Sequence, residues 1–242
     1  MSASDPITLG KQGHQPRRAR IVAAIAALLF CVLGIEAARL GVSGLLLEWA
    51  LPEQASSVPS PAIASLALER LTTSVSFAPS NPWALERLGA VELALIPTYR
   101  SAAQASARTQ DALARFRRAI EQRPASGYLW AQLALAKLYL GTEDTEMMRA
   151  MEHAQELAPK EPIVQQTLLY VGLGMWDRLP VNIRQARLDW IDSSATREPR
   201  TVLDLLKHFN RLELACRRES YNGHAGTECR AIGPSNQTRS QP

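Results

Sequence analysis

The sequence predicts an all-α protein in which a single N-terminal transmembrane helix is followed by a short array of packed helices, an α-solenoid. Three observations predict this fold. An uncharged apolar run lies near the N-terminus, the later apolar residues recur at helical spacing with almost no strand-like alternation, and prolines divide the chain into short segments. The length of 242 residues leaves room for one folded core of ordinary size.

The apolar run begins at Ile21 and contains no charge as far as Ile35. Extended to residue 38, it is near the lower length limit for a helix that crosses a bilayer. A basic cluster precedes it, formed by Lys11, Arg17, Arg18 and Arg20. The positive-inside rule therefore predicts a cytoplasmic N-terminus over residues 1–20, a transmembrane helix over 21–38, and the remainder outside. The cluster also explains much of the net charge of +4, so no nucleic-acid partner is predicted.

A cleaved signal peptide has similar features and is the alternative to an anchor. Ala37 and Ala38 are small, as a cleavage site requires, but Glu36 at the third position before the cut is unfavourable. The uncleaved anchor is therefore preferred. It predicts a single-pass protein of a bacterial cytoplasmic (inner) membrane, with the helical domain in the periplasm.

Residues 39–60 are predicted to form a stalk and a Pro-rich linker. The apolar stretch over 40–51 is too short to span a bilayer, and its Glu48 and Trp49 suit an interfacial position. The folded domain is expected to begin at Pro61, because Ser60 can cap a helix whose first turn tolerates proline. The same type of helix start recurs at Asn81-Pro82, Glu161-Pro162 and Glu198-Pro199, although glutamate is a weaker cap.

Three prolines set a repeating register. Pro79, Pro124 and Pro159 each follow a helical segment and stand six residues before equivalent positions, which are Leu85, Trp130 and Gln165. Two helices that cross closely need a small residue at their contact. The register assigns that role to Gly89, Ala112, Ala119, Ala134 and Ala154.

In the segments NPWALERLG, ALARFRRAIEQRP and LWAQLALAKLYLG, with EMMRAMEHAQELAP as a weaker fourth, the chain resembles the tetratricopeptide repeat. The resemblance covers about residues 65–175 and implies pairs of antiparallel helices, assigned here to 61–176. About eleven extra residues around 97–110 predict a longer helix or a projecting loop. The departures from the repeat are Gln165 for an aromatic residue, Leu169 for a small one, and Glu92, Lys137 and Gly172 where tyrosine is common.

The whole layout also resembles the VpsP-type proteins of bacterial exopolysaccharide gene clusters. The shared features are the basic N-terminus, one span, a Pro-rich linker and the series NPW…RLG, FRRAI…RPAS…YLWAQLALAK and GMWDRLP. The resemblance implies a role in polysaccharide biosynthesis or export, with the proteins of that machine and the cytoplasmic membrane as partners. Because the matching residues mostly pack helices, it supports the fold better than an activity.

A partner-binding groove is predicted on the first helix of each repeat, which lines the concave face of such arrays. Its candidate residues are Trp83, Glu86 and Ala90, then Tyr128, Ala131 and Leu135, then Gln166 and Tyr170. Aromatic side chains beside polar groups suit a peptide or a partner helix, whereas a small-molecule ligand is not expected. The alternative is that Trp83, Tyr128 and Tyr170 only pack the array.

The C-terminal region is predicted to comprise two capping helices over 177–215 and a tail over 216–242. Such helices cover the apolar face that the last repeat would otherwise expose. In the tail, Cys216 and Cys229 are predicted to form a disulfide, since this part is assigned to the outside. A zinc site using these cysteines with His208 and His224 is the weaker alternative, because the spacing lacks a close Cys-x-x-Cys pair.

Catalysis is not predicted, and neither is a cofactor or a resident metal. The sequence lacks a His-Glu-x-x-His motif, a Gly-rich phosphate loop and a Gly-x-Ser-x-Gly motif. The expected function is that of a membrane-anchored protein-protein interaction scaffold that assists exopolysaccharide biosynthesis or export. The alternatives are a general periplasmic assembly factor or chaperone and, less favoured, a glycan-modifying enzyme.

Overall fold

The computed structural model describes residues 17–50 and 61–216, and within these ranges every regular element is helical. The helices are α1 (Arg17–Ala50), α2 (Pro61–Phe77), α3 (Pro82–Ala94), α4 (Ala102–Gln122), α5 (Gly127–Tyr139), α6 (Thr145–Leu157), α7 (Pro162–Gly174), α8 (Val181–Ser194), α9 (Pro199–His208) and α10 (Glu213–Cys216). Short 3₁₀ helices, Ile96–Thr98 and Trp176–Arg178, precede α4 and α8. The all-α fold, with an apolar N-terminal helix followed by a helical array, is therefore confirmed.

Helix α1 contains a stretch that is long and apolar enough to cross a membrane, Ile21–Glu48. Its most apolar window has no buried residue, so the array does not cover it. The helix has no break at residue 38, where the span is predicted to end from the sequence, and it continues to Ala50. Residues 51–60, the last part of the predicted stalk and Pro-rich linker over 39–60, lie outside the described residues.

The C-terminal part of α1, predicted as a stalk, packs directly on α2. Ser43 and Ser74 are both buried, their hydroxyl oxygens lie 2.9 Å apart, and the Ser74 hydroxyl donates to the Ser43 carbonyl oxygen at 2.8 Å. Asn81 Nδ2 donates to the Ser43 hydroxyl at 3.3 Å. At the ends of this contact, Arg39 Nε donates to the Phe77 carbonyl oxygen at 3.0 Å, and Arg87 Nη1 donates to that of Leu47 at 3.0 Å. The C-terminal part of α1 is therefore packed on the array and hydrogen-bonded to it.

The array is built from helices that pack on their neighbours in sequence, while α3, α5, α7 and α9 also contact one another in that order. This order is compatible with an α-solenoid. The turns between α2 and α3, α4 and α5, and α6 and α7 contain Pro79, Pro124 and Pro159, so we call the side of the array that they form the proline edge. The turns between α3 and α4, α5 and α6, and α7 and α8 form the opposite edge.

The helix starts behave as their capping residues predict. Asn81 Oδ1 accepts from the backbone N–H of Trp83 at 3.1 Å, and Ser126 Oγ accepts from that of Leu129 at 3.4 Å. Glu161 and Glu198 precede α7 and α9 but make no side-chain cap. The weaker capping expected of glutamate is thus observed.

The small residues of the register lie at tight helix crossings. A Cβ atom built on Gly89 would come within 2.8 Å of two ring carbons of the fully buried Phe116, so α3 and α4 approach more closely than alanine would allow. Ala112, Ala119, Ala134 and Ala154 are all fully buried. The extra residues after α3 form the first 3₁₀ helix and lengthen α4 to 21 residues, compared with 13 in α6.

Helices α8 and α9 cover the end of the array, where the sequence predicts a cap. Ile191, Val202 and Leu206 are fully buried, and both helices contact α7. The short helix α10 packs against both of them. The last described residue, Cys216, ends this helix.

Candidate partner-binding groove

Three of the predicted groove residues, Trp83, Glu86 and Tyr128, line one open groove of about 430 Å³. We call it the edge groove, because the rest of its lining comes from the turns and helix ends of the proline edge. These additional residues are Arg123, Ala125, Ser126, Gly127, Leu157, Ala158, Glu161 and Ile163. The groove therefore runs along the starts of α3, α5 and α7 and is open to solvent.

Arg123, which follows the last residue of α4, holds two of the groove residues in place. Its Nη1 donates to Glu86 Oε2 at 2.5 Å, and its guanidinium carbon lies 3.4 Å from the centre of the Trp83 ring. A charge-assisted hydrogen bond and a cation–π contact on one guanidinium restrain both partners. The indole is still 52% exposed, so it can contact a bound segment.

The ionisable groups that line the edge groove include two glutamates, Glu86 and Glu161, and one arginine, Arg123. Burial raises the pKa of Glu86, while Arg123 opposes this shift by charge and by hydrogen bonding. Burial, followed by the charges of Glu86 and Glu161, raises the pKa of Tyr128 to about 12. The phenol therefore keeps its proton at neutral pH. Because Arg123 is paired with Glu86, the exposed Glu161 is the carboxylate open to a partner.

None of the other predicted groove residues lines the edge groove, and of these Ala90 and Leu135 are half-buried. Ala131 is fully buried and inaccessible to a partner. Gln166 donates through Nε2 to Glu198 Oε2, which ties α7 to the start of α9. Tyr170 packs in an aromatic cluster, with ring centres 4.9 Å from Phe209 and 6.2 Å from Tyr139. The packing interpretation therefore suits Tyr170, and the groove interpretation suits Trp83 and Tyr128.

Sequence reasoning missed the eight residues that complete the edge groove, among them Arg123, Leu157, Glu161 and Ile163. All eight lie within four residues of Pro124 or Pro159. The register is set by these prolines, but its groove candidates are taken only from helix positions, whereas in an up-and-down array the turns flank the first residues of the following helices. The prolines were thus the available signal for these residues.

Glu92 and Lys137 are buried charges outside the groove, at positions where the tetratricopeptide repeat, which the sequence resembles, usually has tyrosine. Glu92 is 1% exposed, and its carboxylate lies 2.5 Å from Arg115 Nη1 and 3.8 Å from Arg108 Nη1. Burial raises the pKa of Glu92 to about 7 in spite of these arginines. Lys137 is equally buried, and its Nζ lies 2.5 Å from Asp144 and 2.6 Å from Glu146. Both charges are paired within the array, which favours a structural role.

The cysteine predictions fall at the end of the described region. Cys216 is disulfide-bonded, but Cys229 lies outside the described residues, so the pairing of these two stays a prediction. Cys31 is a free thiol on the exposed surface of α1. In residues 17–50 and 61–216, no group of three His, Cys, Asp or Glu side chains is arranged to hold a metal ion. Of the alternative zinc ligands, His224 and Cys229 lie beyond that range.

Comparisons with known protein families, with curated proteins and with solved structures find no match to this chain.

Proposed function

We propose that the chain is a membrane-anchored, non-catalytic scaffold that holds a partner protein in the edge groove. The observation that carries this proposal is the convergence of Trp83, Glu86 and Tyr128 in one open groove. The repeat register selects these residues by position alone, without knowledge of any contact between them. Such convergence is expected of a binding surface built from repeated helix positions.

The chemistry of the edge groove suits a protein segment. Trp83 and Tyr128 supply rigid aromatic surface, of the kind that dominates the energetics of protein interfaces. Leu157 and Ile163 are 43% and 48% exposed and offer apolar contact on the same groove, while Glu161 offers a negative charge. The complementary partner is a helical or extended segment with an apolar anchor and a neighbouring Lys or Arg.

The anchor in this proposal is α1. The basic residues before Ile21 support a cytoplasmic N-terminus, and the array then lies in the periplasm of a bacterium. The resemblance to VpsP-type proteins supports partners from a machine that synthesises or exports exopolysaccharide. In such a machine, an anchored scaffold would raise the local concentration of the components that it binds.

Impermeant maleimide labelling tests the anchor and its orientation. In a Cys31→Ser background, Tyr139→Cys should be labelled on intact spheroplasts, because residue 139 lies on the opposite edge of the external array and is 41% exposed. Ser2→Cys should be labelled only after permeabilisation. The parent without an added cysteine measures any reaction of the tail cysteines.

The reverse labelling pattern would contradict the orientation. Loss of the Ser2→Cys label together with a shortened mature chain would show a cleaved signal peptide and would contradict the anchor. Labelling of both positions on intact spheroplasts would contradict a single span.

A further inference from the structure

A second concave site lies between α6 and α8 and shares no residue with the edge groove. We call it the α6–α8 pocket. Its volume is about 160 Å³, and Met151, Ile183 and Ala186 contribute apolar wall. A water molecule takes about 30 Å³ in the liquid, so the pocket has room for a small ligand of about five to eight non-hydrogen atoms.

Arg187 brings an unmatched positive charge to this pocket. The residue is 1% exposed, and arginine is almost never so deeply buried unless it is paired. Burial lowers its pKa to about 10, so the guanidinium stays charged at neutral pH, and no carboxylate of the described residues opposes the shift. The guanidinium donates to the side-chain oxygens of Gln155 and Gln165, which are neutral. Within residues 17–50 and 61–216, the charge therefore lacks a counter-ion.

Two donors of this cluster remain available to an anion. Arg187 Nε is buried and has no hydrogen-bond partner in the described part of the chain. Gln155 accepts from Arg187 through its oxygen, so its amide nitrogen remains a donor on the same wall of the pocket. A buried donor without an acceptor costs stability, and the planar guanidinium matches the geometry of a carboxylate. A carboxylate is therefore the anion that fits this end of the pocket.

The rim of the pocket carries the opposite charge. Glu152 and Glu156 line it, are both exposed, and stand one helical turn apart on α6. Glu152 accepts a long hydrogen bond from Asn182 at 3.5 Å, and Glu156 lies 3.8 Å from the ring of His153. These two carboxylates would repel a purely anionic ligand and attract an ammonium group. The charge pattern therefore selects a ligand that carries both charges.

We propose that the α6–α8 pocket binds a small zwitterion of the α-amino-acid type, with its carboxylate on Arg187 and Gln155 and its ammonium group on Glu152 and Glu156. The apolar wall leaves room for a short aliphatic side chain, such as that of alanine. The bound carboxylate supplies the counter-ion that Arg187 lacks. The site goes beyond the proposed function and is independent of it, because the edge groove uses other residues. The sequence does not predict this ligand, since the lining residues come from two helices and form no motif.

Calorimetric titration of the full-length chain in detergent tests the proposal, with alanine as the probe. L-alanine and D-alanine are titrated separately, and acetate and ethylammonium, which each carry one of the two charges, are the matched fragments. We expect at least one enantiomer to bind at least about tenfold more tightly than either fragment, because each charge-assisted contact adds to the affinity. Acetate that binds as tightly as alanine would contradict a zwitterion site. So would the absence of alanine binding at about 10 mM.

Substitutions assign the binding to this pocket. Glu152→Gln combined with Glu156→Gln should weaken alanine binding at least about tenfold, whereas Glu121→Gln, at an exposed position of α4 outside the pocket, should leave it unchanged. Arg187→Met should abolish binding, and circular dichroism checks that this variant folds. The double variant does not depend on that check, because both of its positions are exposed. Parental affinity in the double variant, or in a folded Arg187→Met chain, would overturn the proposal.

Discussion

Replacing Asp144 and Glu146 together by their amides is expected to lower the free energy of unfolding by about 3–5 kcal/mol, the cost of leaving a buried charge unpaired. The side chain of Lys137 is 3% exposed, and these two carboxylates lie within 2.6 Å of its ammonium group. The Asp144→Asn change would keep the helix cap, which accepts the Met147 N–H at 3.0 Å, since asparagine caps as well as aspartate does. Glu146 also pairs with Arg117, but that side chain is 48% exposed and its pair contributes little, so most of the loss would report the charge of Lys137. Chemical denaturation in detergent, followed by circular dichroism, measures it.

A third substitution distinguishes the buried charge from other effects of the double change. Adding Lys137→Met removes the ammonium and keeps a side chain of similar length, so most of the lost stability should return. Glu156→Gln is the matched control, because that carboxylate is 74% exposed and its loss should cost less than about 0.5 kcal/mol. If the triple variant is no more stable than the double variant, the buried charge is not the cause.

The second large effect is a pH dependence centred on Glu92. Its pKa in the folded chain is raised from the ordinary value of 4.5 to about 7, first by burial, with Asp111 also raising it and Arg115 and Arg108 opposing. A raised carboxyl pKa means that the folded state binds the proton more tightly than the unfolded state. The stabilisation is present below pH 4.5 and is lost as the pH rises through about 7. The loss is about 3 kcal/mol in free energy of unfolding.

Glu92→Gln isolates this effect, because glutamine resembles the protonated acid and does not titrate. We expect the stability difference between the variant and the parent to shift in favour of the variant from about pH 4.5 to about pH 8. Other titrating groups, such as Glu146, whose pKa is lowered to about 2 by Arg117 and Lys137, are common to both proteins and cancel. A difference that is constant with pH, or that shifts towards the parent, would show that Glu92 is ionised in the folded chain throughout this range.

The sequence predicts most of the fold because the responsible signals are local. Proline and the capping residues mark helix starts, as at Asn81 and Ser126, and small residues mark close crossings, as at Gly89. A capping residue affects only the first turn of its own helix, and a small residue affects only the contact of one helix pair. The extra residues before α4 were predicted as either a helix or a loop, and helix propensity alone did not choose between these outcomes.

The reason for the three departures at the tyrosine positions could not be predicted. Glu92 is matched by arginines from α4, and Lys137 by acids at the start of α6. At Gly172 the space is taken by Arg187, whose Cγ would lie 3.2 Å from an added Cβ. Arg187 donates to the side-chain oxygens of Gln165 and Gln155, and burial lowers its pKa to about 10. Each replacement depends on a side chain from another helix, which no local pattern reveals.

The packing of α1 on α2 could not be predicted from the sequence either. Ser43 and Ser74 are 31 residues apart, and serine in an apolar helix is no signal for a particular partner. For the groove, the register found Trp83, Glu86 and Tyr128 but assigned Gln166 and Tyr170 to the same surface. The capping helix α9 and the residues that flank it contact both Gln166 and Tyr170, and their position depends on packing after the repeat pattern fades.

The central claim is that the edge groove holds a partner protein, and site-specific photo-crosslinking in the native membrane tests it most directly. With p-benzoylphenylalanine at residue 163, which lines the groove, irradiation should give a protein adduct of one discrete mass. The adduct should fall at least about tenfold when Trp83 is changed to Ala, and should be absent with the probe at residue 139 on the opposite edge. No protein adduct at 163, or equal adducts at 163 and 139, would contradict the claim.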